Sequence, residues 1–149
     1  MNPNDAAAAL AQVDRTETKL AERARWPFHR HAMFGLAEGL VVAGFAQPGA
    51  QMGAMMAVAL ALVVVCVTGD RRRDGMFVSG WRAGATRPLT ILVTLFVIAM
   101  AMASAAVRDG EAAQPLGYLF GAIAFAVCTA ASLRWEKIYR AELGREGRR

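Results

Sequence analysis

Apolar residues in this chain gather into four blocks, each bounded by charged or turn-forming residues, instead of recurring in the stripes of a soluble amphipathic helix. Blocks of about 20 residues at ~1.5 Å each match a ~30 Å hydrocarbon core. The pattern predicts membrane-spanning helices over about 27–46, 52–68, 88–107 and 115–133. In the first block Pro27 suits an opening turn, where its missing N–H would be unsatisfied anyway, and His29, Arg30 and His31 belong at headgroup level. Its apolar run is the shortest uninterrupted one and contains Glu38. An uncharged turn from Gln47 to Gln51 leads to the second block, which is wholly apolar until Thr68. A glycine-rich loop over 69–87 follows, then the third block, the turn Arg108, Asp109, Gly110, Glu111, and the fourth block. Beyond Leu133 nothing breaks the helix through Arg134, Trp135, Glu136 and Arg140, so one helix is expected to leave the membrane and end near Gly144.

The expected fold is therefore an all-α membrane protein, a bundle of four transmembrane helices over 27–133 with both termini cytoplasmic. Residues 1–26 form a cytoplasmic N-terminal arm and residues 134–149 a cytoplasmic C-terminal tail carrying the extension of the fourth span. In the arm, Leu10, Val13, Leu20 and Ala24 share one narrow helical face, with Asn4 or Asp5 as a cap; docking of that face and a solvated arm both stay open. Orientation comes from the basic residues, which are held on the cytoplasmic side. Sixteen of them lie in the N-terminal flank, the middle loop and the C-terminal tail, against Arg108 alone in the two opposite turns. Trp26, Trp81 and Trp135 fall on the same boundary, where amphipathic rings anchor.

Composition agrees with the blocks: 56% of the 149 residues are apolar and 19% charged, outside the usual soluble balance. The formal charge of +5 would admit nucleic acid, but the basic residues flank apolar blocks, as cytoplasmic loops attracted to anionic headgroups do. No nucleic-acid partner is expected. Asp5, Asp14, Glu17 and Glu22 make the first 25 residues unlike a signal peptide, so the chain is expected to be retained whole. Fifteen arginines to two lysines, with abundant alanine and glycine, fit a bacterial plasma (inner) membrane protein. Cys66 and Cys128 lie inside apolar blocks without metal-ligand spacing and read as small hydrophobes.

Small residues recur every four positions, as needed where membrane helices approach closely. Gly35, Gly39 and Ala43 form such a ladder in the first helix, Gly53, Ala57 and Ala61 in the second, Ala101 and Ala105 in the third. The fourth has two, Gly117 with Gly121 and Ala122 with Ala126 and Ala130; alanine is common enough here that some ladders arise from composition alone.

Glu38 is the most informative single residue, since a carboxyl near the middle of a span costs a few kcal/mol and tends to be kept only when paired or used. It reads either as a proton- or cation-binding group or as a protonated carboxyl bonded to a neighbouring helix. His31, seven residues earlier, shares its face but lies about 10 Å away along the axis, beyond a direct hydrogen bond. His29 and His31 point to opposite sides and do not suit one metal. The fragment Leu36, Ala37, Glu38 in the first of four short helices resembles the first-helix glutamate of the small multidrug resistance transporters, which implies proton-coupled export through Glu38. The likeness covers that helix only; short loops, weak orientation bias and an aromatic third helix are absent, Ile91 to Val107 holding only Phe96.

In the middle loop, Arg71, Arg72, Arg73, Trp81, Arg82 and Arg87 are the candidates for contact with anionic lipid or an acidic partner. The simpler reading holds the loop on anionic headgroups, with Met76, Phe77, Val78 and Trp81 dipping into the interface. No phosphate-binding spacing of glycines with Lys and Ser or Thr occurs, and no nucleophile stands beside a His–acid pair. No catalytic residue, metal or cofactor is expected. Two roles remain: a non-enzymatic subunit that forms a homo-oligomer or joins a larger membrane complex, or a small proton- or cation-coupled transporter or channel using Glu38.

Overall fold

The structure is a computed structural model that describes residues 12, 25–74, 80, 81 and 83–146. Among these residues the fold is all-helical, with four helices and no strand: α1 Phe28–Gly44, α2 Gly49–Asp74, α3 Arg87–Ala106 and α4 Ala113–Glu146. Three of them, α2, α3 and α4, are long and apolar enough to cross a membrane. The expected N-terminal arm falls outside the described residues except for Gln12, Arg25 and Trp26, as do Arg82, the segment 75–79 and the last three residues of the tail.

The boundaries depart from the hydropathy blocks where hydropathy and helicity are different properties. Pro27 does not occupy the first turn; it is the extended N-cap (φ −70°, ψ 150°) one position before α1. At its other end α1 stops at Gly44, and Phe45 to Gln47 fold into a tight turn closed on the carbonyls of Val42, Ala43 and Gly44. The helix has 17 residues, shorter than the 27–46 block. The second helix runs on from the apolar block through Asp70 and Arg71, Arg72 and Arg73 to Asp74, because charged residues end a span but not a helix, and arginines in a last turn complement its negative dipole end. Helix thus takes up the first part of the loop expected over 69–87, through Asp74, and its last residue, Arg87. The last helix starts with Pro115 in its first turn and passes Gly144. At 34 residues it is about 50 Å long, more than a membrane needs.

The shortest helix is the hub. α1 packs most extensively on α4, next on α2 and also on α3, whereas α2 and α3 share no packed interface of any extent. Its close approach to α4 depends on glycine: a Cβ at Gly39 would lie 2.8 Å from the Gly121 carbonyl, and one at Gly117 would lie 2.5 Å from Ala46 Cβ. A Cβ at Gly35 would run into the Thr129 hydroxyl. The ladder on α1 and the glycine ladder on α4 thus face each other. Gly53, Ala57 and Ala61 face outward, as do Ala122, Ala126 and Ala130.

Size is distributed inversely to a soluble core. The largest fully buried side chains are His31, Gln47, Val42, Thr86, Cys128 and Ser104, while Leu60, Leu92, Leu95 and Met102 are among the most exposed. Only 6% of the apolar stretch of α2 or α3, and 28% of that of α4, is buried within the protein. Apolar faces of this extent have to be covered by something other than water, and lipid meets that requirement for helices long enough to span it.

The chain runs up and down, so the start of α1, the end of α2, the start of α3 and the last third of α4 meet at one end. The turns Phe45–Pro48 and Val107–Ala112 lie at the other. Gly84, at φ +151°, lies in the loop before α3 with the Glu142 carboxylate against it, and that φ favours glycine.

Candidate functional site

Charged and aromatic side chains of α1, α2 and α4 converge at the end where α1 begins. Arg30 projects from the first turn of α1 to the carboxylate of Asp70 on α2: Nε donates at 2.7 and 3.0 Å to the two oxygens and Nη2 at 2.6 Å. This forked pairing fixes both position and angle. The guanidinium also lies 4.2 Å from the ring centroid of Trp26, a cation–π contact. Trp26, Trp135 and Tyr139 form a ring cluster with centroids 5.2 to 6.0 Å apart. Arg73 Nη2 donates to the Arg25 carbonyl at 3.1 Å, a second tie between the end of α2 and the start of α1.

His31, fully buried, joins α1 to α4. Its Nε2–H donates to Glu136 Oε2 at 2.9 Å, and Nδ1 lies 2.8 Å from Ser132 Oγ. With the ring neutral, Nδ1 accepts from the serine hydroxyl; with the ring protonated, both nitrogens donate. Glu136 also accepts from the Trp26 backbone N–H at 3.4 Å and faces Arg140 at 3.8 Å. Both ring nitrogens of His31 are thus engaged by α4 and neither by Glu38. His29 is exposed.

Adjacent to this cluster is a cleft of about 450 Å³ between α2 and α3, floored by α1 and α4. Its walls are mostly aliphatic, with Val63 and Val67 from α2 and Val93, Val97 and Ile98 from α3. Arg30, Asp70, Trp81 and Trp135 line one end, and Glu38 lies on the α1 side about 12 Å deeper along the helix. Among the described residues no hydrogen-bond or ion-pair partner reaches the Glu38 carboxyl. Thr90 and Thr94 also line the cleft, but each hydroxyl donates to a carbonyl, Thr90 to Gly80 at 2.8 Å and Thr94 to Thr90 at 3.0 Å.

The chain matches no protein-family model, no curated protein and no solved structure.

The other residues singled out from the sequence fall as follows. Arg71, Arg72 and Arg73 are exposed on the last turn of α2, Arg87 is the exposed first residue of α3, and Trp81 is exposed at the cleft mouth. They share one end of the bundle. Arg82 lies outside the described residues. Cys66 and Cys128 are both free thiols, and among the described residues no three His, Cys, Asp or Glu side chains gather as metal ligands.

Sequence reasoning missed Asp70, Ser132 and Glu136 as partners of the first helix. A signal was present: Ser132 and Glu136 are one turn apart and share a face, at the depth where His31 enters. Asp70 likewise opens the charged stretch at the depth of Arg30.

Proposed function

We propose that this chain is a four-span inner-membrane bundle with both termini cytoplasmic, acting as a non-enzymatic subunit that oligomerises or joins a larger membrane assembly. The observation that carries this reading is the contrast between the two ends. The described arginines Arg25, Arg30, Arg71, Arg72, Arg73, Arg87, Arg134 and Arg140 belong to the end where α1 begins, and Arg108 to the other. Basic residues so distributed favour one orientation and draw anionic headgroups to that end. The 17 residues of α1 are about 25 Å long, a little under the hydrocarbon thickness. Because the other three helices surround it, its polar side chains face protein more than lipid, which supports counting it as the fourth span. Outward-facing ladders on α2 and α4 leave surfaces suited to close contact with another helix.

Mass photometry of the gently solubilised protein tests the assembly. Complexes larger than one chain are expected, and a monodisperse monomer across several mild detergents would count against the reading.

A second reading is favoured by one observation, the Glu38 carboxyl in an apolar cleft without a hydrogen-bond or ion-pair partner among the described residues. In it the chain is a small proton- or cation-linked transporter or channel. Flux into proteoliposomes separates the two, because Glu38→Gln abolishes flux in a transporter and an assembly subunit has none to lose.

A further inference from the structure

The geometry points to Ser132 as an activated nucleophile that takes the acyl group of a lipid ester at the membrane boundary, with His31 as its base and Glu136 as the residue that positions the base. The inference goes beyond the assembly reading: it shares the architecture and replaces an inert chain with one that carries chemistry. Glu38 has no part in it.

Ser132 and Glu136 lie 101 and 105 residues from His31, out of reach of any local spacing, and the contact of α1 with α4 brings the three into line. Ser132 Oγ is 2.8 Å from His31 Nδ1, and the opposite ring nitrogen, Nε2, donates at 2.9 Å to Glu136 Oε2. A proton held on Nε2 by the carboxylate leaves the Nδ1 lone pair to the serine hydroxyl, the tautomer a general base needs. Glu136 is itself held: it is buried, accepts also from the Trp26 backbone N–H at 3.4 Å, and faces Arg140 at 3.8 Å.

A serine that served only to join the helices would be sealed between them. Ser132 is half-buried and borders the cleft at the end it shares with Trp135. Trp135, three residues on and so on the same face of α4, has a buried indole N–H with no acceptor. Charge that develops on a carbonyl oxygen beside Ser132 needs a donor, and this unused donor stands one turn away.

Depth selects the substrate. Ser132 stands two residues before Arg134, where the apolar stretch of α4 passes into its charged extension. That is the level of the ester carbonyls of glycerolipids, between headgroup and hydrocarbon, and the aliphatic walls of the cleft suit an acyl chain. In the first step Oγ bonds to the carbonyl carbon as its proton passes to Nδ1. The bond from that carbon to the glycerol oxygen then breaks, and the oxygen leaves with the proton from Nδ1, giving a seryl ester and a lyso-lipid. Water attacks the seryl ester by the same proton path, releasing a fatty acid and restoring Ser132. The imidazolium formed midway lies against the Glu136 carboxylate, which stabilises it.

The test uses the full chain in nanodiscs and two probes: an alkyl fluorophosphonate, whose phosphorus takes the serine oxygen as fluoride leaves, and p-nitrophenyl decanoate. Mass spectrometry should find about one phosphonyl adduct per chain, located on Ser132 by peptide mapping. Ser132→Ala should abolish it, and His31→Gln should slow it by about 100-fold or more. Glu136→Gln should slow it by about ten-fold or more, and Glu136→Asp, which restores a carboxylate, should recover part of the rate while Gln, closer in size, does not. Circular dichroism establishes that the variants are folded, and the mapped position in the wild-type chain decides for the serine even where one is not. Decanoate should give a burst of about one p-nitrophenolate per chain, and p-nitrophenyl acetate, which lacks the chain, a burst about ten times slower or less. Absence of an adduct, an adduct elsewhere than Ser132, or a wild-type rate in folded His31→Gln would overturn the nucleophile, and equal bursts from the two esters would overturn the lipid ester as its substrate. A labelled monomer keeps the site and removes the assembly; an unlabelled oligomer does the reverse.

Discussion

Replacing Gly121 by alanine adds one methyl group at the place where α1 and α4 come closest. The new Cβ would lie 2.7 Å from the Gly39 carbonyl oxygen and 2.8 Å from Ala43 Cβ, about 0.7 Å short of the 3.4 Å at which ordinary contact begins. Neither neighbour can swing away, because one is backbone and the other is attached directly to it, so the two helices must separate. A gap of 0.5–1 Å forfeits roughly a quarter to a half of each dispersion contact along an interface, and dispersion is much of what holds membrane helices together. Overpacking of this kind costs about 1–3 kcal/mol, so Gly121→Ala is expected to lower stability by about 2 kcal/mol, roughly 30-fold in the folding equilibrium. The matched control is Gly53→Ala on α2, where a Cβ meets nothing within 4 Å and the change should stay within about 0.5 kcal/mol. Unfolding in mixed micelles by added SDS, followed by circular dichroism, measures both. Coincident midpoints for the two variants would refute the close crossing of α1 and α4.

Asp70→Asn leaves the Arg30 guanidinium without its carboxylate and should cost about 2–3 kcal/mol in the same titration, somewhat below a fully buried pair because Arg30 keeps some exposure. Removing both partners should cost less than the sum of the single losses, and strict additivity would dissolve the pair as a unit. Glu136→Gln weakens the acceptor used by His31 and by the Trp26 backbone, and should destabilise by about 1–3 kcal/mol with a red shift in tryptophan emission; unchanged emission would detach the ring cluster from Glu136. Single cysteines at Gln51, Gly110, Ser79 and Gly144, in a chain lacking Cys66 and Cys128, should react with a membrane-impermeant thiol reagent in intact cells only at Gln51 and Gly110. Labelling of Ser79 would reverse the orientation. Arg71, Arg72 and Arg73 changed together to glutamine should reduce the phosphatidylglycerol retained in native mass spectrometry, and undiminished retention would remove their lipid role.

Apolar blocks made the helices legible and small-residue spacing marked faces suited to close contact, because both depend on features local to one segment. The ends of the helices were less so. Asp70 and the three arginines stop an apolar block yet continue α2, since hydropathy marks where lipid ends and backbone hydrogen bonding has no reason to stop there. Which ladder meets which was hidden as well: Gly53, Ala57 and Ala61 have the spacing of Gly35, Gly39 and Ala43 but face outward, and only the packed arrangement separates them. The polar cluster was the least legible part. His31 and Glu136 are 105 residues apart, and Arg30 and Asp70 are 40 apart, so their pairing depends on helix order and depth, which no local motif encodes. Glu38 was conspicuous in its block, but that no partner reaches it among the described residues belongs to the assembled helices.

The hub of the bundle is made first and its main partner last. As the ribosome extends the chain, α1 emerges with Arg30, His31 and Glu38 and without α4, whose glycines and Glu136 are encoded some hundred residues later. Pairing across so long a stretch is slow to close, so the polar groups of α1 are made long before their partners on α4. Loss of the fourth helix by truncation would leave His31 and the Trp26 backbone N–H without Ser132 and Glu136, so the start of α1 depends on the part of the chain that is made last.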